Sequence, residues 1–177
     1  MQTRHKKKSY LKDALFLTAV ILSVILIYVG LRLSLATDTP LVAIDSGSMT
    51  PALEVGDLLI IKGVKPEEIN IGDIIVFDPP TQGMGRTVHR VITIQPLPNG
   101  TLTFKTKGDA NEIEDTYTVY PQNIHGRVLY RIPYIGYMVI NPAIPITIIT
   151  VIIIAMIIWP EKKKRKFRHK PKTHIKG

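Results

Sequence analysis

Two long uncharged runs bracket a region of short apolar ones, and this contrast divides the chain. Ala14 to Leu31 holds 18 residues without a charge. At roughly 1.5 Å per residue that is about 27 Å of helix, close to the hydrocarbon thickness of a bilayer. Tyr137 to Trp159 is a second uncharged run, of 23 residues, interrupted early by Asn141, Pro142 and Pro145. Both read as transmembrane helices. The prolines mark where the second begins or kinks, because a proline inside a helix removes a hydrogen bond and clashes with the preceding turn.

Between these runs the pattern shortens. Segments rich in Ile, Val, Leu and Thr, bounded by Gly, Pro, Asp or Asn, predict strands at 41–45, 57–62, 73–77, 87–94, 101–106 and 126–132. Pro98-Asn99-Gly100 separates two alternating runs and predicts a type I′ hairpin, whose two central residues need positive φ. Asp78 to Arg86 has no periodicity and is dense in Pro and Gly, so it reads as a loop or lid. The expected fold class is mostly β: a single compact antiparallel domain flanked by an N-terminal and a C-terminal transmembrane helix.

Charge gives these pieces an orientation. A net charge of +9 over 177 residues would suit nucleic acid if it covered a folded surface, but it sits at the ends. Residues 1–13 carry five Lys/Arg against one Asp, and residues 161–177 carry nine against one Glu, which leaves the middle acidic by three charges. Basic ends around apolar helices follow the positive-inside rule. The expected organisation is a basic cytoplasmic N-terminus at 1–13, a transmembrane helix at 14–35, an extracytoplasmic β-rich domain at 36–134, a second transmembrane helix at 135–159 and a basic cytoplasmic tail at 160–177. The lipid bilayer is the expected partner of that tail, each Lys or Arg near anionic lipid contributing about 1 kcal/mol. No nucleic-acid partner is expected.

Two local sequences carry a second meaning. Ser34-Leu35-Ala36 is a small-x-small sequence after a basic and then apolar segment, the order found in signal peptides. The apolar run exceeds the usual h-region of about 7–15 residues, so it reads as an uncleaved anchor. Asn99-Gly100-Thr101 is an N-glycosylation sequon on the outward side as well as a turn. The chain has no cysteine, so an outward domain is held by its core alone.

The candidate chemistry lies in the stretch from Ile44 to Pro51. Ser46, Gly47 and Ser48 follow an apolar run and precede a proline that neither continues a helix nor donates to a sheet. That is a strand running into a tight turn. A serine placed there can expose its hydroxyl while its backbone N–H points the same way, as nucleophilic acyl transfer requires. The hydroxyl needs a base, and the outward segment offers His89 and His125, with Lys62, Lys105 and Lys107 as lysine alternatives. A Ser/Lys protease and a non-catalytic peptide-binding adaptor, with Ser48 only a turn residue, are the competing readings.

Ser46 to Asp57 fits S-G-S-M-x-P-x-L-x-x-G-D and resembles the nucleophile box of the type I signal peptidases, membrane-bound serine endopeptidases. Thr87-Val88-His89-Arg90-Val91 looks like the His-Arg strand of the archaeal and endoplasmic-reticulum type, where bacterial members use a lysine. Lys107 to Asp115 is similar to the G-D-x-N-x-x-x-D element of the same subgroup, with Ala110 where asparagine is frequent. The resemblance implies that Ser48 is the nucleophile, His89 the base and Asp115 its orienting carboxylate. Asp109 is a supporting residue, either orienting His89 in place of Asp115 or organising the loop. The Ser46 hydroxyl and the Ser48 N–H are the implied oxyanion-hole donors. His125 receives no role and reads as structural, and Met49 is assigned to the pocket wall or core. Secretory preproteins are the implied substrates, accessory subunits or a translocon the further partners, and the β-domain the signal-peptidase type, located at the plasma membrane or endoplasmic reticulum. No cofactor or metal is expected, and the sequence has no H-E-x-x-H, cysteine pair, G-x-G-x-x-G or P-loop.

Overall fold

The computed structural model describes residues 3–81 and 83–158, so the expected tail at 160–177 lies outside the described residues. The first element is helix α1, Thr3–Ser34. Its segment Ala14–Ser34 has a mean hydropathy of 2.7, and none of it is buried. Among the described residues it is the one helix long and apolar enough to cross a membrane. Beyond it the chain turns sharply, with Ala36 at φ +50° and Arg32 paired to Asp38. The Leu35 carbonyl accepts the Gly63 N–H at 2.8 Å. The Ala36 carbonyl oxygen lies 1.9 Å from where a side chain at Gly63 would begin, so only glycine fits there.

The six predicted strands are all present: β1 (Leu41–Ala43), β2 (Leu58–Lys62), β3 (Ile74–Phe77), β4 (Thr87–Pro96), β5 (Leu102–Lys107) and β6 (Ile124–Ile132). They form one sheet in the order β1-β2-β6-β3-β4-β5, antiparallel at every pairing. The register slips at Ile60/Ile61, Val76/Phe77 and Val91/Thr93, and such irregularities add twist. The sheet coils accordingly. The turn leaving β1 at one edge reaches β4 and the loop after β5 at the other, where the Ser48 carbonyl accepts the Ala110 N–H at 2.9 Å. Ile44, Met49 and Leu53 from that turn pack with Leu59, Ile61, Val76 and Val88 in one apolar cluster. A second cluster, built on Phe77, Val91, Phe104 and Val119, lies under β3 to β5.

The β4–β5 hairpin differs from expectation. Gly100 has φ +83°, but Asn99 is not at positive φ. Gly100 N–H donates to the Leu97 carbonyl at 2.8 Å, and Leu97 N–H to the Thr101 carbonyl at 2.8 Å. This is a three-residue loop with a left-handed glycine at its end rather than a type I′ turn. Pro98 favours this arrangement, since its φ near −65° suits the second residue of a turn over Leu97–Gly100 and so starts the turn one residue earlier.

The second apolar run also departs from a single long helix. Tyr137–Ile140 forms a short helix, α2. Asn141 is extended at φ −116° and ψ 94°, as a residue before proline tends to be. Pro142 opens a separate compact unit that contains α3, Ala143–Ile158, of 16 residues. Pro145 falls in the first turn of α3, where its missing N–H costs nothing. At ~1.5 Å per residue α3 spans about 24 Å, short of the ~30 Å hydrocarbon core. Among the described residues the run from 135 is therefore not one continuous membrane-length helix: it breaks at Asn141-Pro142.

The segment from Asp78 to Arg86 is a loop, as expected, with its ends tied. Asp78 accepts His125 Nε2 at 2.7 Å and faces Arg86 Nε at 3.5 Å.

Candidate active site

The site forms where the coiled sheet brings its two ends together. Ser48 lies on the turn after β1, half-buried, within a short helical-type winding closed by Thr50 N–H to the Gly47 carbonyl and Leu53 N–H to the Met49 carbonyl. Met49, 1% exposed, drives its side chain into the core and so turns the neighbouring Ser48 outward. Gly108 supplies the other support. A side chain there would begin 2.6 Å from the Ser48 carbonyl oxygen, so the bare backbone of the loop after β5 is what allows the two loops to meet.

His89 sits on β4 opposite Ile75 of β3 and is 6% exposed. The Phe77 ring stands edge-on to the imidazole at 6.4 Å between centroids. Its Nε2 lies 3.2 Å from Ser48 Oγ and its Nδ1 2.7 Å from Asp115 Oδ2. Asp115 arrives from the long loop after β5, fixed by its N–H to the Thr106 carbonyl at 2.9 Å. The buried Thr106 hydroxyl donates to the same Asp115 Oδ2 at 2.6 Å. A carboxylate accepts from Nδ1–H, which leaves Nε2 as an acceptor for the serine O–H. The arrangement can move a proton from Ser48 to His89 while Asp115 stabilises the resulting imidazolium.

Asp109 stands beside this chain without entering it. Its two carboxylate oxygens accept Arg90 Nε at 2.8 Å and Nη2 at 2.6 Å. The hydrogen bond from Arg90, ahead of its charge, holds the Asp109 carboxyl below the usual carboxylate range, and Asp109 in turn raises the guanidinium. Arg90 also donates to the Gly72 carbonyl at 2.8 Å. Of the two expected roles for Asp109, the contacts match loop organisation. Ser46 Oγ lies 3.5 Å from Ser48 Oγ, exposed at the mouth of the site. The Ser48 Oγ contacts among the described residues are to Ser46 and His89, none to a lysine. Lys105 Nζ is engaged elsewhere, on the Tyr117 carbonyl at 3.1 Å. His125 pairs with Asp78 outside the site.

A groove of about 440 Å³ runs past these groups, lined by Val42 and Ala43 of β1, by Ile44 just after it, and by Thr87, Val88 and Tyr117. Met84 and Arg86 reach it from the 78–86 loop. Burial, then the Asp115 charge, pushes the Tyr117 phenol above its ordinary value, so it stays protonated in the groove wall. Among the described residues no cluster of His, Cys, Asp and Glu has metal-binding geometry. Sequence reasoning missed Thr106, Phe77 and Tyr117. An inward-facing threonine on a predicted strand was the only available signal for Thr106.

Comparison with known proteins adds the family. A family model described as signal peptidase, peptidase S26, matches residues 14–97. The human signal peptidase complex catalytic subunit SEC11C is 31% identical over 141 residues, covering 76% of this chain and 73% of that protein. The signal peptidase complex catalytic subunit SEC11 of Schizophyllum commune is 35% identical over 152 residues, 73% of this chain and 78% of its own length. The chain belongs to the signal peptidase family. The signal peptidase model match contains Ser46, Ser48, His89 and Arg90 and ends before Asp109 and Asp115. Within this signal peptidase the two aspartates are therefore distinguished by their contacts: one touches the histidine, the other the arginine.

Proposed function

We propose that this signal peptidase removes N-terminal signal peptides from secretory preproteins with Ser48 as nucleophile, His89 as general base and acid, and Asp115 as the carboxylate that orients His89. The observation that carries the assignment is the continuous contact from Ser48 Oγ through both imidazole nitrogens to Asp115, at 3.2 and 2.7 Å, within the groove. Ser48 Oγ attacks the scissile carbonyl as its proton passes to His89 Nε2. The oxyanion is received by the Ser48 N–H and the Ser46 hydroxyl, each such donor contributing on the order of 3 kcal/mol. His89 then protonates the leaving amine, and water resolves the acyl-enzyme by the reverse relay.

The groove suits an extended segment. Among the described residues β1 is an edge strand, paired only with β2, and a peptide laid beside it would take its register from backbone hydrogen bonds. The shallow walls at Ala43, Ile44 and Val88 favour small side chains at the first and third positions before the cut. Ser48 follows α1 by few residues, which keeps the site near the membrane surface where a signal peptide emerges.

In this reading α1 anchors the chain, residues 36–134 form the extracytoplasmic or lumenal catalytic domain, and both basic ends, 1–13 and 160–177, are cytoplasmic. The apolar run at 135–159, broken at Asn141-Pro142, is proposed to return the chain through the bilayer from α3 onward. The relatives are catalytic subunits of a complex by name, and accessory subunits are proposed here too.

The test is cleavage of a labelled preprotein by the full chain in liposomes. Wild type is expected to cut after a small-x-small sequence, and Ser48→Ala and His89→Ala to lose on the order of 10⁴-fold or more while remaining folded. An active His89→Ala would return the base to a lysine. Wild type that binds preprotein and never cuts it would support the adaptor reading.

A further inference from the structure

Asp57 is the one buried carboxylate among the described residues, at 1% exposure. It closes the turn that begins at Ser46. Its Oδ2 accepts the Glu54 N–H at 2.7 Å and Arg131 Nε at 2.6 Å. Arg131 reaches further, donating through Nη1 to the Ala52 carbonyl at 2.9 Å. Its backbone lies near the end of β6, just before the chain leaves the sheet. Three later features press on the same spot. Gly136 is buried, and a side chain there would begin 2.4 Å from the Asp57 carbonyl oxygen and 2.8 Å from that of Gly56. The Tyr137 ring occupies the space, 2.0 Å away, into which a side chain at Gly56 would project. Gly56 itself is at φ +92°.

The turn carrying Ser48 is thus held at two ends. One end meets the site, through Ser48 to His89 and to Ala110. The other is gripped by residues 131–137, none of which lines the groove. A carboxylate removed from water is stable only when paired, so Asp57 and Arg131 fix each other, and their geometry is passed to Ala52 and Glu54. From there it is four to six residues back to the serine.

We propose that Arg131 and the Gly136–Tyr137 turn form a positioning element for the nucleophile: they set the angle at which Ser48 Oγ faces His89, acting through Asp57. The inference rests on the assignment of Ser48 as nucleophile. Displacing a reacting group by about 1 Å costs on the order of 100-fold in rate, and the groove residues Val42, Ala43 and Val88 are not among those that grip the turn.

The experiment measures kcat and KM for preprotein cleavage by the full chain in liposomes, with thermal unfolding as a parallel readout. The variants are Ser48→Ala, Arg131→Met combined with Asp57→Asn, Gly136→Ala, and Arg131→Lys. The paired substitution removes both charges together, so no carboxylate is left orphaned. The expected result is a fall in kcat of roughly 10- to 100-fold for the paired variant and for Gly136→Ala, with KM little changed. Arg131→Lys, which keeps the charge but not the two-pronged grip, should fall between. Arg131→Lys keeps Asp57 paired, and it decides the matter if the others do not fold. Wild-type kcat in folded variants, or a loss confined to KM, overturns the proposal. Activity in Ser48→Ala would overturn the nucleophile assignment instead.

Discussion

Asp109 grips Arg90 through both carboxylate oxygens, at 2.8 and 2.6 Å, one residue away from the histidine that Asp115 holds. Two acidic residues from one loop thus serve adjacent residues of one strand, and only one of them can act on the imidazole. Asp109→Asn should therefore cost structure more than chemistry. The Asp109 carboxyl is held below its ordinary value, so its pairing stabilises the fold above the usual carboxylate range. That stability is lost as pH falls through the lowered value. The unfolding temperature of Asp109→Asn is expected to lie below wild type at neutral pH, by the equivalent of about 1 kcal/mol for a partly exposed pair, with the gap closing in acid. A gap that persists unchanged in acid would contradict the assignment.

Thr106 is expected to matter to rate. Its hydroxyl is the second donor to the Asp115 oxygen that faces His89. Hydrogen bonds to charged groups contribute about 1.5–3 kcal/mol. Thr106→Val should lower kcat by roughly tenfold or more, leave KM near wild type, and be rescued in large part by Thr106→Ser. Steady-state cleavage of the three proteins decides it.

Gly108→Ala tests the meeting of the two loops. The new methyl would start 2.6 Å from the Ser48 carbonyl oxygen and 2.8 Å from Asn111 Nδ2. Overpacking of this kind costs about 1–3 kcal/mol. The variant should melt earlier and cut at least about tenfold more slowly, because the nucleophile itself is displaced. Wild-type cleavage would show that the loops do not brace each other.

Lys105→Met separates the imidazole from the lysine chemistry. Lys105 binds the Tyr117 carbonyl and makes no contact with Ser48. Its replacement should leave kcat/KM within about twofold, as is usual away from a site. Loss of activity matching that of His89→Ala would reinstate a lysine base.

Much of this was legible in the sequence because it depends on local patterns. Six short apolar runs ended by Gly, Pro, Asp and Asn gave six strands, since alternation and turn chemistry act over a few residues. The serine turn was legible because its spacing is long and composite. What escaped was of two kinds. Thr106 and Phe77 look like any strand residues, and only the pairing of β3 with β4 and the return of the loop along β5 place them against His89 and Asp115. Arg131 and Asp57 are distant in sequence, and nothing local says that they will meet. The hairpin type was misjudged because Asn-Gly was weighed ahead of the proline before it. In the second apolar run the prolines did mark an interruption, and Asn141-Pro142 is where the helix breaks and restarts.

The bond from Leu35 to Gly63 bears on the chain's own fate. Ser34-Leu35-Ala36 has the composition that an enzyme of this family cuts, and it lies between an apolar helix and the rest of the protein. To be read, it would have to lie extended along another copy's edge strand. Here the Leu35 carbonyl is committed to Gly63, the Ala36 carbonyl is packed against the same glycine, and Ala36 is left-handed. Bonded and turned at Gly63, the backbone of this sequence is not in the extended form that pairing with an edge strand requires, although the Ser34 and Ala36 side chains stay exposed.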